Sequence, residues 1–211
     1  DVIGLNIATR ADSISDECLD YLEDINKRTY LTVELGLQTI HEETAKLINR
    51  CCSLDTFTKM VKKLRSRNID VVVHIINGLP YETKNDMIET VKFLNGLNIQ
   101  GVKIHMLSVL SDTPLAEYYE KNKFHILSRD EYVDIVISQL EYLRSDIVIH
   151  RITGDPKKED LITIMNRRIA RAQYGYYSLH SDPKSRRIQE EWKKKLDLYD
   201  VDYQRLITEK G

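Results

Sequence analysis

Cysteine is scarce in this chain, occurring only as Cys18, Cys51 and Cys52. An odd count without regular spacing argues against a disulfide framework and favours a reducing, cytoplasmic setting. Cys51 and Cys52 are adjacent, whereas structural metal sites usually space their ligands by two or more residues. Packing near a helix start is their expected role, with a metal or redox role as the alternative. No sign of charge dominates: the formal net charge is −2, with 30% charged and 42% hydrophobic residues. That balance removes any global attraction to nucleic acid or an anionic membrane and is ordinary for a soluble globular protein. No apolar run approaches the roughly 20 residues of a membrane helix, so no membrane partner is expected. The opening residues Asp1-Val2-Ile3-Gly4-Leu5 lack the basic start and cleavage site of a signal peptide. They also lack an initiator Met and begin directly on an apolar run, which reads as a missing N-terminal portion.

What is present is an alternation of strand-like and helix-like segments. Strands are predicted at Val2–Ile7, Tyr30–Leu37, Val71–Ile76 and Gly101–Leu107, with a fifth strand-like run at Ile147–Ile152. Val71–Ile76 is unbroken and apolar, as in a strand buried on both faces. Helices are predicted from Ser15 to about Lys27, over His41–Asn49, and from Ser53 or Asp55 to about Arg67. Further helices follow from Thr83 to about Leu94, over Asp112–Lys121 and over Ser128–Leu143. Strands separated by helices build a parallel α/β sheet through right-handed crossovers. A complete eight-stranded barrel needs about 250 residues, so a partial (β/α) TIM-like barrel over residues 1–156 is expected. Residues 157–211 form a second unit, a basic and mostly helical C-terminal extension. Between Lys157 and Lys195 there are 11 Lys/Arg against 5 Asp/Glu, with Tyr174, Tyr176 and Tyr177 among them. This stretch is either a solvated helical tail packed on the barrel or a contact surface for RNA, where basic groups bind phosphate and tyrosines stack on bases.

In parallel α/β folds ligands bind beyond the C-terminal ends of the strands. The segments there are Ala8-Thr9-Arg10-Ala11-Asp12, Gly36-Leu37-Gln38-Thr39, His74 to Pro80, and His105-Met106-Leu107-Ser108. They form one shared rim of amides, hydroxyls, histidines and arginines suited to a polar ligand. Gln38 can donate to and accept from ribose hydroxyls. Arg50 has the planar fork that suits a carboxylate, although a surface ion pair or a helix C-cap contact explains it equally. His74, within an apolar strand, is either a hydrogen-bonded core histidine or a ligand contact. Gly78-Leu79-Pro80 is a turn that also lets the backbone approach a ligand closely.

In order along the chain, Gly4-Leu5-Asn6-Ile7-Ala8-Thr9-Arg10, Val33 to His41, Leu47-Ile48-Asn49-Arg50, His74 to Pro80, Val102-Lys103-Ile104-His105, Thr113-Pro114-Leu115 and His150 to Asp155 resemble the radical S-adenosylmethionine (SAM) superfamily. The match is nearest to its YhcC-like proteins and the group holding coproporphyrinogen dehydrogenase and Elp3-type enzymes. It covers about residues 1 to 162. The resemblance implies an enzyme with SAM and a [4Fe–4S] cluster as cofactors, an electron donor for the cluster, and a substrate that is unknown. Such enzymes cleave SAM reductively to a 5′-deoxyadenosyl radical. Carried over by position, Gln38 meets the SAM ribose, Arg50 its carboxylate, and Ile76 and Val109 the adenine. His74 stands where some relatives place a ribose-binding Asp, and Thr9 and Arg10 fall at a cofactor-binding turn in which Ala11 replaces a proline. The Cys-x3-Cys-x2-Cys cluster motif and the glycine-rich segment for the SAM amino group are absent. The chain alone is therefore expected neither to assemble the cluster nor to cleave SAM. The alternatives are a SAM- or RNA-binding barrel module without catalysis, with a role in tRNA modification, or an unrelated phosphate-binding barrel, disfavoured because no glycine-rich phosphate loop follows the late strands. A partial barrel leaves a strand edge open, so oligomers through that edge are expected.

Overall fold

The computed structural model describes residues 3–152; the 157–211 extension lies outside them. Five strands, β1 (Gly4–Thr9), β2 (Tyr30–Gln38), β3 (Asp70–Asn77), β4 (Gly101–Met106) and β5 (Val148–Arg151), form one sheet in the order β1-β2-β3-β4-β5. Every neighbouring pair is parallel. The strand order never reverses, so there is no switch point of the doubly wound kind. Right-handed crossovers in such an order carry the helices to one face and leave the other to line a lumen. The result is the expected α/β partial barrel.

The helices are α1 (Asp16–Asn26), α2 (Glu42–Leu47), α3 (Leu54–Ser66), α4 (Lys84–Asn95), α5 (Pro114–Asn122) and α6 (Arg129–Tyr142). Their starts follow local chemistry. Ser15, Ser53, Thr83, Thr113 and Ser128 each accept a hydrogen bond from a backbone N–H in the first turn, and at Thr83 and Ser128 the bond is reciprocated by Asp86 and Glu131. Alternate strand residues (Leu31, Val33 and Leu35 on β2, Val71 and Val73 on β3) pack with Leu19, Phe57, Leu64 and Val91 of the helices in one continuous core. A smaller apolar cluster, Leu79, Leu107, Val109, Ala116 and Phe124, sits apart from it. Among the described residues no helix is long and apolar enough to cross a membrane.

Three local expectations shift. β1 is displaced toward the C-terminus of the expected Val2–Ile7 run, so Thr9 lies within the strand. β3 is buried on both faces only in its first half: Val71, Val73 and Ile75 are covered by helices and Val72 is buried on the lumen face, while His74 and Ile76 further along the lumen face are half-buried. Helix α2 is shorter than His41–Asn49, and Arg50 lies beyond its end, between Asn49 and Cys51, which both have positive φ.

Candidate functional site at the rim and in the lumen

Strand register sets the lumen face in layers. Glu34 is registered with Val72, and Val72 with Gly101. One layer higher, Gly36 is registered with His74, His74 with Lys103 and Lys103 with Arg151, while His105 pairs with Ile76 above. A bulge between Gly36 and Gln38 shifts the end of β2, and Gln38 adopts φ 60°. Its amide nitrogen then folds back over Gly36, into the space a Cβ would fill. Gln38 Oε1 is buried there without a hydrogen-bond partner. Buried acceptors are nearly always satisfied, so this oxygen is an opening for a ligand hydroxyl or N–H.

The rest of the rim is unevenly engaged. Arg10 is bound in a two-pronged pair to Asp12, with Nε donating to Oδ1 at 2.9 Å. That pairing holds the Asp12 carboxyl below its usual range and raises the Arg10 guanidinium. Thr9 ends β1 beside it, half-buried. Arg50 is enclosed, and its guanidinium donates to protein oxygens. Nε reaches Cys52 O at 2.6 Å, Nη1 reaches Leu37 O at 3.2 Å and Thr39 O at 2.6 Å, and Nη2 reaches Glu42 Oε1 at 3.1 Å. Four of the five guanidinium N–H groups are thus committed to shaping the turn after β2. Ile76 packs against the small cluster in which Val109 is fully buried, so the structure brings these two together.

His74 is drawn into a network instead of standing alone. Its Nε2 lies 2.7 Å from Glu34 Oε2, and its Nδ1 lies 3.2 Å from His105 Nε2. The two rings stack at 5.1 Å. Lys103 Nζ donates to both Glu34 oxygens, at 2.7 and 2.8 Å. Burial pushes the Glu34 carboxyl up, but Lys103 and His74 together outweigh it and hold the group below its ordinary value. Burial lowers His74 despite the opposing pull of Glu34. For His105, burial first, then the charges of His74, Arg151 and Lys103, bring the pKa down to about 4. Both imidazoles are therefore neutral at physiological pH. Sequence reasoning placed His105 only in the general rim and gave Glu34 and Lys103 no role of their own. Their signal was a charged or polar residue alternating with apolar ones inside a strand, which burial forces to find partners.

Glu82, after Gly78-Leu79-Pro80, is another buried carboxyl. Its oxygens have no hydrogen bond of normal geometry. Burial raises its pKa, although Thr39 and His41 pull the other way. His41, Asp86 and Glu89 are the one set of three potential metal ligands that converges among the described residues, with ligand atoms within 4.8 Å of one another. The His41 ring already contacts Asp86 O at 3.0 Å. The cysteines do not converge on a metal: Cys51 is exposed, Cys18 and Cys52 are half-buried, and all three are free thiols. Cys52 packs against the main core, as expected of a residue near a helix start.

Comparison with known proteins adds the ancestry of this arrangement. The family model described as "Radical SAM superfamily" matches residues 1–94, and "Radical_SAM C-terminal domain" matches residues 99–178. The uncharacterized protein YtqA of Bacillus subtilis is 50% identical over 162 residues, covering 77% of this chain and 50% of its own length. Protein YhcC of Escherichia coli K12 is 26% identical over 162 residues, covering 76% of this chain and 52% of its own. The chain thus spans about half the length of these curated relatives. Among solved structures, archaeal Elp3 of Methanocaldococcus infernus shares the fold with a TM-score of 0.69 at 21% identity, covering 83% of this chain and 42% of that one.

Proposed function

Because the chain belongs to the radical SAM superfamily, we propose that it supplies the nucleoside-contacting part of the SAM site of a longer radical SAM enzyme. One observation carries this reading: Gln38 Oε1 is a buried, unpartnered acceptor at the C-terminal end of a barrel strand. A ribose hydroxyl donated to it would satisfy an oxygen that the protein leaves orphaned. Ile76, beside the Val109 cluster, offers the neighbouring apolar surface for adenine. Arg50 takes a supporting part, since its fork holds the backbone of Leu37 and Thr39 on either side of Gln38. SAM, reduced by an iron–sulfur cluster, is the radical source in this superfamily. The described cysteines do not fit a cluster, and its ligands are assigned to residues outside this chain.

Equilibrium dialysis with labelled SAM tests the proposal directly. Saturable binding is expected, weakened roughly tenfold by Gln38→Leu, the worth of one hydrogen bond to a buried group. Absence of saturable binding would overturn it. Anaerobic reconstitution is expected to leave the chain without stoichiometric iron and sulfide; a stoichiometric cluster would refute the placement of the ligands. A second reading concerns the substrate. The basic, tyrosine-containing stretch from Lys157 to Lys195 favours RNA docked through the C-terminal extension. A gel shift with tRNA that weakens steeply with salt is the expected result, and no shift at low salt would exclude it.

A further inference from the structure

The polar network in the lumen has a direction that hydrogen-bond chemistry alone sets. Glu34 holds Lys103 on both of its oxygens, so its carboxylate can only accept. His74 Nε2, 2.7 Å from Glu34 Oε2, must therefore be the N–H of that ring. A neutral imidazole carries one N–H, so His74 Nδ1 is a bare acceptor. His105 Nε2, 3.2 Å from it, must then donate, and the second nitrogen of His105 is left as a lone pair. His105 Nδ1 has no hydrogen-bond partner among the described residues. Three strands contribute one group each to this chain (Glu34 from β2, His74 from β3, His105 from β4), and Lys103 anchors its far end. His105 lies nearest the C-terminal end of the sheet, one residue before β4 stops, which is where ligands enter a parallel barrel.

We propose that His105 Nδ1 is the lumen's acceptor for an O–H or N–H of the substrate, with His74 and Glu34 as the relay behind it. A hydroxyl, amide or ring N–H of a small polar substrate is recognised by that lone pair. When chemistry at a neighbouring atom makes the donor acidic, its proton passes to His105 Nδ1. The Nε2 proton of His105 moves to His74 Nδ1, and the Nε2 proton of His74 moves to Glu34 Oε2. The substrate gains one negative charge and Glu34 loses one, so charge is conserved and no oxidant is consumed. Lys103 and Arg151, registered side by side on β4 and β5, both bear electrostatically on His105 and oppose a lasting positive charge there, so the proton is passed on toward Glu34. The relay goes beyond the SAM contacts of Gln38, resting on them only for the lumen being the reaction space.

Diethyl pyrocarbonate, which acylates unprotonated imidazole nitrogens, tests the assignment on the intact 211-residue chain with peptide mass mapping. At pH 7 His105 is expected to be acylated and His74, with both nitrogens engaged, to be spared. The His105 rate is expected to hold nearly constant down to about pH 5, whereas an ordinary histidine loses reactivity below its usual pKa of about 6.5. Ring 15N chemical shifts are expected to show both histidines in the Nε2–H form. An Nδ1–H form at His105, or acylation of His74 in preference to His105, would overturn the direction of the relay. The SAM arm separates substrate from cofactor. With SAM saturating, continued acylation of His105 supports a substrate role, and protection by SAM assigns the lone pair to the cofactor and overturns the proposal. If SAM does not bind at all, the cofactor reading fails, while the tautomer and acylation results still decide the relay.

Discussion

Arg50 places a guanidinium among carbonyls of Leu37, Thr39 and Cys52 and the carboxylate of Glu42, a geometry that only a planar fork can serve. Arg50→Lys keeps the charge but strands backbone acceptors. Urea unfolding should show a loss of about 2 kcal/mol, and Gln38, held between the clamped carbonyls, should bind SAM more weakly in the same variant. His105 makes a different kind of prediction. Its folded pKa of about 4 lies below the unfolded value of about 6.5, so between those values the unfolded chain binds more protons. Stability therefore falls as pH is lowered through that window. Denaturant titrations at several pH values should show that slope reduced in His105→Leu. A lowered Glu34 acts further down the scale, stabilising above the ordinary carboxylate pKa and losing its effect as it is protonated. Gln38 and His74 were legible in the sequence because polar residues at strand ends stand out. Glu34 was not, because a single Glu between Val33 and Leu35 looks the same whether it meets solvent or, as here, Lys103 and His74 across two strands.

At the scale of elements, the rim above β3 depends on a buried amide pair. Asn77 Nδ2 donates to Gln139 Oε1 at 2.8 Å, and Gln139 Nε2 donates to Asn77 Oδ1 at 2.9 Å and to Met87 O at 3.0 Å. This pair locks α6 and α4 to the end of β3. Gln139→Leu would leave Asn77 Nδ2 and Oδ1 without their partners, and a cost of about 2–4 kcal/mol is expected in thermal or urea unfolding, two orphaned groups' worth. Immediately after Asn77 the chain turns at Gly78. Its φ is 84°, and a Cβ there would come within 2.9 Å of the Leu127 side chain, so a larger residue is strained in its backbone and must displace Leu127. The turn was readable from Gly78-Leu79-Pro80, and helix starts were readable from Ser15 and Ser53, because caps and turns are local chemistry. The bulge that reverses Gln38 toward Gly36 was not, because register irregularities depend on how β2 and β3 pair.

For the molecule as a whole, the partial barrel leaves β1 at one edge of the described sheet, paired only with β2. Ile3 is 90% and Leu5 39% exposed beside it. Open edges with apolar flanks recruit further strands, so sedimentation velocity on the isolated chain should show concentration-dependent association that Leu5→Lys diminishes; a monomer at all concentrations would contradict this. By itself the sequence determined the strand and helix rhythm, the parallel α/β class, the family and the rim positions, since each is written in local periodicity, capping residues and ordered motifs. Only the tertiary structure decided that Arg50 is a clamp on the β2 turn and that Gln38 keeps an orphaned oxygen. It also joined His74 to Glu34, Lys103 and His105. The network joins residues 31 to 69 positions apart in the chain, Gln38 depends on a strand bulge, and Arg50 depends on how the loop after α2 folds back on residues 2 to 13 positions away; distance and direction between such groups exist only once the chain is folded.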